Sequence, residues 1–96
     1  MDKDNPRIGI FDSGIGGITV LKEILDLVPM TEIMYLGDSA RLPYGTKSSK
    51  TIIRYSLQCA EFLMTKGIDM LVVACNTASA HAIDVLKEKL PIPVVG

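Results

Sequence analysis

Ninety-six residues hold one modest hydrophobic core and a single domain at most. With 48% apolar residues and a mean hydropathy of +0.32, the chain is too apolar to be disordered. Ten basic and eleven acidic residues leave a net charge of −1, which excludes the basic footprint of a nucleic-acid binder and a polybasic membrane anchor.

The stretch RIGIF (7–11) reads as a short buried strand. GGITVLKEILDLV (16–28) reads as a helix. Val20, Leu21, Ile24, Leu25 and Val28 recur at helical spacing, with Lys22, Glu23 and Asp26 between them, and Pro29 ends it. EIMYLG (32–37) is a second strand, and DSARLPYGTK (38–47) a long loop. A second helix is expected over 48–66, with Ile52, Tyr55, Cys59, Phe62 and Leu63 on a wide apolar face and Gly67 just past its end. DMLVVA (69–74) is a third strand, apolar on both faces as in a covered parallel sheet. A third helix is expected over about 78–90, with Ala82, Val85, Leu86 and Leu90 facing inward, until Pro91 and Pro93 stop it. VVG (94–96) is a fourth strand. The order β-α-β-α-β-α-β implies an α/β domain over residues 1–96. Its architecture is a three-layer open parallel sheet, doubly wound and flavodoxin-like, with right-handed crossovers.

The charged start MDKDNPR is no signal peptide, and the longest near-apolar run, residues 70–75, is too short to span a membrane. Cys59 and Cys75 lie 16 residues apart and fit neither a disulfide framework nor a zinc pattern. A cytoplasmic protein with two free thiols is expected.

In such sheets ligands gather beyond the carboxyl ends of the strands, where strand order reverses. With the first strand central, three loops meet there: DSGIGG, DSARLPYG and CNT. Cys75 sits between a strand and a helix, where unpaired N–H groups and the helix dipole favour an anion. Asn76 or Thr77 is placed to cap that helix and to offer polar groups to a ligand. The plainer reading makes Cys75 a small hydrophobe at a strand end. Cys59 lies mid-helix on the apolar stripe and reads as core.

Gly14, Gly16 and Gly17 suggest a phosphate cradle, but Thr19 stands where the dinucleotide fingerprint needs a third glycine. Asp38 sits where a ribose-binding acid would, whereas Asp12 at the loop mouth repels phosphate and suits an ammonium group or a base. Alternatively, Asp12 or Ser13 caps the first helix and the glycines only permit close packing. A Mg²⁺ held by Asp12 and Asp38 is a weaker option, for neither loop carries a further carboxylate beside them. GTKS (45–48) is only superficially P-loop-like. In LPYG (42–45), Pro43 and Gly45 shape a turn that presents Tyr44, with the Gly45 N–H free for a carboxylate; an ordinary surface turn is the alternative. His81, six residues past Cys75, reads as structural.

GIFDSGIGG, YLGDSARLPYG and ACNTASA, in this order, resemble the glutamate racemase family of the cofactor-independent aspartate/glutamate racemase superfamily. The resemblance covers nearly the whole chain. It implies interconversion of L- and D-glutamate for peptidoglycan by two cysteines on opposite faces of the α-carbon, with no cofactor and no metal. It assigns Cys75 as one catalytic cysteine and Asp12 as a catalytic or ammonium-binding acid. Ser13, Tyr44, Gly45, Asn76 and Thr77 become substrate-binding residues. It also implies a second, pseudo-symmetric half carrying the other cysteine in a Cys-Thr-His motif, which these residues lack. The expected partners are therefore glutamate, that missing domain and a second copy in a homodimer. The 96 residues alone are expected to be inactive. A nucleotide- or phosphate-binding Rossmann-like module built on the 14–17 loop is the rival reading.

Overall fold

The computed structural model describes residues 6–14, 17–28, 31–41 and 43–96. Its elements are β1 (Arg7–Asp12), α1 (Gly17–Leu27), β2 (Glu32–Gly37), α2 (Ser49–Thr65), β3 (Met70–Val73), α3 (Asn76–Lys89) and β4 (Val94–Val95). Two short 3₁₀ turns, Ser39–Arg41 and Tyr44–Thr46, break the loop after β2. The strands are parallel in the order β2-β1-β3-β4, so β1 is central and strand order reverses between β1 and β3. This is the expected doubly wound topology.

Right-handed crossovers put α1 on one face of the sheet and α2 with α3 on the other. The second face is the better built. There α2 packs along α3, and Ile52, Leu63, Ala82 and Leu86 close over Phe11, Leu71 and Val73. The α1 face is thinner. Leu25 and Val28, expected to point inward, are 41% exposed each, and on β3 only alternate residues are fully buried. One helix cannot cover the sheet as two do opposite, where α2 reaches β1 and β2 and α3 reaches β3 and β4. Phe62 also departs from expectation: it lies at the margin of the α2 face and is 49% exposed. Pro29 falls outside the described residues.

Local chemistry sets the helix ends. The Ser48 hydroxyl accepts from the Thr51 N–H at 3.2 Å and starts α2. Gly67 ends it in the left-handed region at φ +76°, as a residue past a helix terminus does. α3 begins at Asn76, two residues earlier than the sequence suggests, because Cys75 is itself the cap.

Candidate active site

Backbone hydrogen bonds draw all three loops to one end of the sheet. The Asp38 N–H donates to the Asp12 carbonyl at 3.0 Å, and the Ala74 N–H to the Phe11 carbonyl at 2.8 Å. Beyond these strand ends lies a cleft of about 440 Å³, and Ser13, Thr19, Cys75, Asn76 and Thr77 line it.

Cys75 occupies the floor. Extended backbone, with φ −105° and ψ 120°, lets its side chain fold back over the first turn of α3. There Sγ accepts from the Ala78 N–H at 3.4 Å. The sulfur thus takes the place of the usual capping oxygen, facing a row of helix N–H groups that favours negative charge. Cys75 is largely buried, Asn76 exposed and Thr77 half-buried. Neither Asn76 nor Thr77 is used as a cap, so both side chains remain available at the cleft.

Asp12 lies below the cleft and has no solvent exposure. Its Oδ1 accepts from the Gly14 N–H at 2.7 Å, and its Oδ2 from the Tyr35 hydroxyl at 2.5 Å. A Cβ at Gly17 would stand 1.9 Å from Oδ2, so only glycine lets α1 begin this close to the acid. Removal of the Tyr35 hydroxyl from water, then its bond to Asp12 and the Asp12 charge, push that phenol up to about 12. Tyr35 had been only a strand residue in the sequence. Its parity was the available signal, since a tyrosine two residues before the end of β2 shares a face with the last residue of β1.

Tyr44 is held in a defined place, but inside the protein. Its ring lies 6.3 Å from Phe11 and 5.8 Å from Tyr55, and its hydroxyl donates to Asp38 Oδ2 at 2.5 Å. The Cys59 thiol donates to the same oxygen at 3.6 Å, and Arg41 Nε stands 3.6 Å from it. Burial, then the Asp38 charge and the hydrogen bond to it, push the Cys59 thiol up to about 12. Burial and the bond to Asp38 likewise raise the Tyr44 phenol. Cys59 is therefore a core residue, as expected, with a polar contact that helical spacing did not reveal. The Tyr44 side chain does not line the cleft; the 3₁₀ turn it anchors lies against α3. Gly45 in that turn is exposed and does not use positive φ. A separate hollow of about 220 Å³ opens onto this cluster, lined by Asp38, Arg41 and Cys59 together with Leu36, Gln58 and Phe62.

Two alternatives lose support. Asp12 stands opposite Gly37 in the sheet, so Asp38, the next residue, points to the other face. The two acids are bound to Tyr35 and Tyr44 respectively and are not brought together for a metal. The Gly14 N–H, which a phosphate cradle would need, is engaged by the Asp12 carboxylate; Gly16 lies outside the described residues. Ser48 of GTKS serves as a helix cap. His81 Nδ1 sits 3.1 Å from Ser49 Oγ, linking α3 to the start of α2. Both cysteines are free, and no helix among the described residues is long and apolar enough to cross a membrane.

Comparison with known proteins gives a consistent pattern. The Asp/Glu/Hydantoin racemase family model matches residues 8–96. A glutamate racemase of Aquifex aeolicus is 60% identical over 90 residues, covering 94% of this chain and 35% of its own length. The solved glutamate racemase of Aquifex pyrophilus superposes with a TM-score of 0.91 at 60% identity, over 94% of this chain and 36% of that one. That of Francisella tularensis, solved with D-glutamate, superposes with a TM-score of 0.88 at 47% identity, over 96% and 35%. The chain spans about a third of the length of the curated relatives it matches.

Proposed function

The chain belongs to the Asp/Glu/Hydantoin racemase family, and from that premise we propose that it carries one half of a glutamate racemase active site. The observation that supports this most is the Cys75 sulfur, set at the N-terminus of α3 on the floor of a cleft with Ser13, Asn76 and Thr77. In this reading residues 1–96 are an N-terminal racemase domain portion, and a second, pseudo-symmetric part lies outside them.

The α-proton of glutamate is weakly acidic, so a base must be close, aligned and shielded from water. The Cys75 thiolate takes that proton from one face of the α-carbon and becomes a thiol. The electron pair left on carbon delocalises into the substrate carboxylate. A thiol from the absent part then delivers a proton to the opposite face and becomes the thiolate. One proton leaves, one arrives, and configuration inverts with no cofactor. Asn76, Thr77 and the Gly45 N–H hold carboxylates as neutral donors, which leaves the charge on sulfur uncompensated and basic. Ser13 binds beside the ammonium group. Asp12 acts from beneath, as the acid that steadies the ammonium or assists the thiolate. The Tyr44 contribution comes through the turn it anchors. The product serves peptidoglycan synthesis in the cytoplasm, and the expected assembly is a homodimer.

Exchange of the glutamate α-proton with D₂O tests this. The isolated 96 residues are expected to show neither exchange nor racemisation. In a racemase containing this chain, Cys75→Ser is expected to abolish racemisation while glutamate still binds. Full activity after Cys75→Ala overturns the proposal, as does tight binding of NAD or ATP to the 14–17 loop that glutamate does not affect.

A further inference from the structure

We propose that Tyr35 is a positioning residue for the cleft, whose hydroxyl fixes the orientation of Asp12 and thereby the seat of Ser13 above it. The inference rests on the racemase reading of that cleft.

Tyr35 is 36% exposed, so its ring is only partly covered. Its engaged part is the hydroxyl, 2.5 Å from Asp12 Oδ2. With Oδ2 held by Tyr35, the other oxygen is aimed at the Gly14 N–H, which it meets at 2.7 Å. Gly14 has φ 111°, a conformation open to glycine and costly to other residues, and the chain reaches it directly from Ser13. The hydrogen bonds therefore run from Tyr35 through Asp12 to the turn that places Ser13 on the cleft wall.

Space reinforces the bonds. A Cβ on Gly17 would come within 2.7 Å of the Tyr35 hydroxyl as well as 1.9 Å of Asp12 Oδ2. Gly37 closes the other side, where a Cβ would meet Asp12 Oδ1 at 3.1 Å. Asp12 is thus enclosed by backbone on two sides, and Tyr35 is the one side chain among the described residues that donates to it. Without the hydroxyl, the buried Oδ2 has no donor among the described residues, and the carboxylate is expected to turn.

The test is a double-mutant cycle in a racemase that contains this chain. Tyr35→Phe keeps the ring and removes the donor. It is expected to lower kcat roughly 10- to 30-fold with KM for glutamate within about twofold, and to cost less than about twofold once Asp12 is already Asn. Equal losses in the two backgrounds mean that Tyr35 does not act through Asp12, and they overturn the proposal. So does an unchanged kcat. A wild-type protein without racemase activity defeats the functional reading instead. The positioning itself is then read on the 96-residue chain, where Tyr35→Phe is expected to speed amide exchange at Gly14 about tenfold and leave Val72 in β3 unchanged. No change at Gly14 overturns it. Should Tyr35→Phe fold poorly, a fluorotyrosine placed at position 35 keeps the shape and alters only the donor; a kcat insensitive to that change also overturns the proposal.

Discussion

The Tyr44 hydroxyl donates to Asp38 Oδ2 at 2.5 Å, so a turn that looks like a surface feature is clasped to the sheet by a buried bond. Asp38 follows β2 directly and Tyr44 opens the second 3₁₀ turn, six residues later. The clasp fixes the turn beside α3 and hence where the Gly45 N–H stands.

Tyr44→Phe removes that bond while keeping the ring between Phe11 and Tyr55. Hydrogen bonds to charged groups are worth about 1.5–3 kcal/mol, and the loss is expected at that size. Urea unfolding measures it, and a melting temperature lower by roughly 6 °C or more accompanies it. Unchanged stability means that Asp38 is satisfied without Tyr44.

Stability is expected to decline at alkaline pH. Folded Cys59 keeps its proton up to about 12, against 9.0 for an unperturbed thiol, and Tyr35 up to about 12, against 10.0. Between these values the unfolded chain has released protons that the folded chain retains. Their contribution is therefore complete below about pH 9 and is lost as pH climbs towards 12. Urea midpoints between about pH 9 and pH 11 should fall steadily, and Cys59→Ala should flatten the first part of the decline. A midpoint that holds steady over that range contradicts the assignment.

The two thiols should differ sharply towards a maleimide. At about pH 8 a thiol titrating near 12 is ionised to only about one part in ten thousand, so Cys59 is nearly inert. Cys75 faces the open cleft and is expected to react at least about tenfold faster. Mass spectrometry of the partly labelled chain reads the order, and Cys75→Ser should erase the fast phase. Preferential labelling of Cys59 would reverse the picture.

Two glycines separate space from conformation. Gly17→Ala drives a methyl into Asp12 and is expected to destabilise the fold by about 2–3 kcal/mol. Gly45→Ala meets nothing within 4 Å and needs no left-handed backbone, so it should stay within about 0.5 kcal/mol of the parent. Chemical denaturation of the two variants, side by side, checks the contrast.

Much of the scaffold was legible because it rests on local periodicity. β2 spans the same six residues, 32–37, that were expected of it, and Gly67 terminates α2 from just past its end, as expected. What was not legible depends on partners distant in sequence. Asn76 and Thr77 look like caps because oxygen is the common capping atom, yet a sulfur does the capping, and α3 starts earlier. Tyr44 carries every local mark of an outward-facing turn residue, but the Asp38 carboxylate and the rings of Phe11 and Tyr55 draw it inward. Phe62 and Leu25 fall on apolar stripes and are still exposed, because a stripe records helical phase and not how wide the opposing surface is. Tyr35 was overlooked for a related reason: its importance lies in a parallel register, a property of two strands together.

The register that sets Asp12 against Gly37 makes the sheet a partition between two acids. One acid steadies the β1–α1 turn on the near side, and the other moors the second 3₁₀ turn on the far side. With a layer of backbone between them, each acid holds its own turn through its own tyrosine, and removing one phenol leaves the other acid's donor in place.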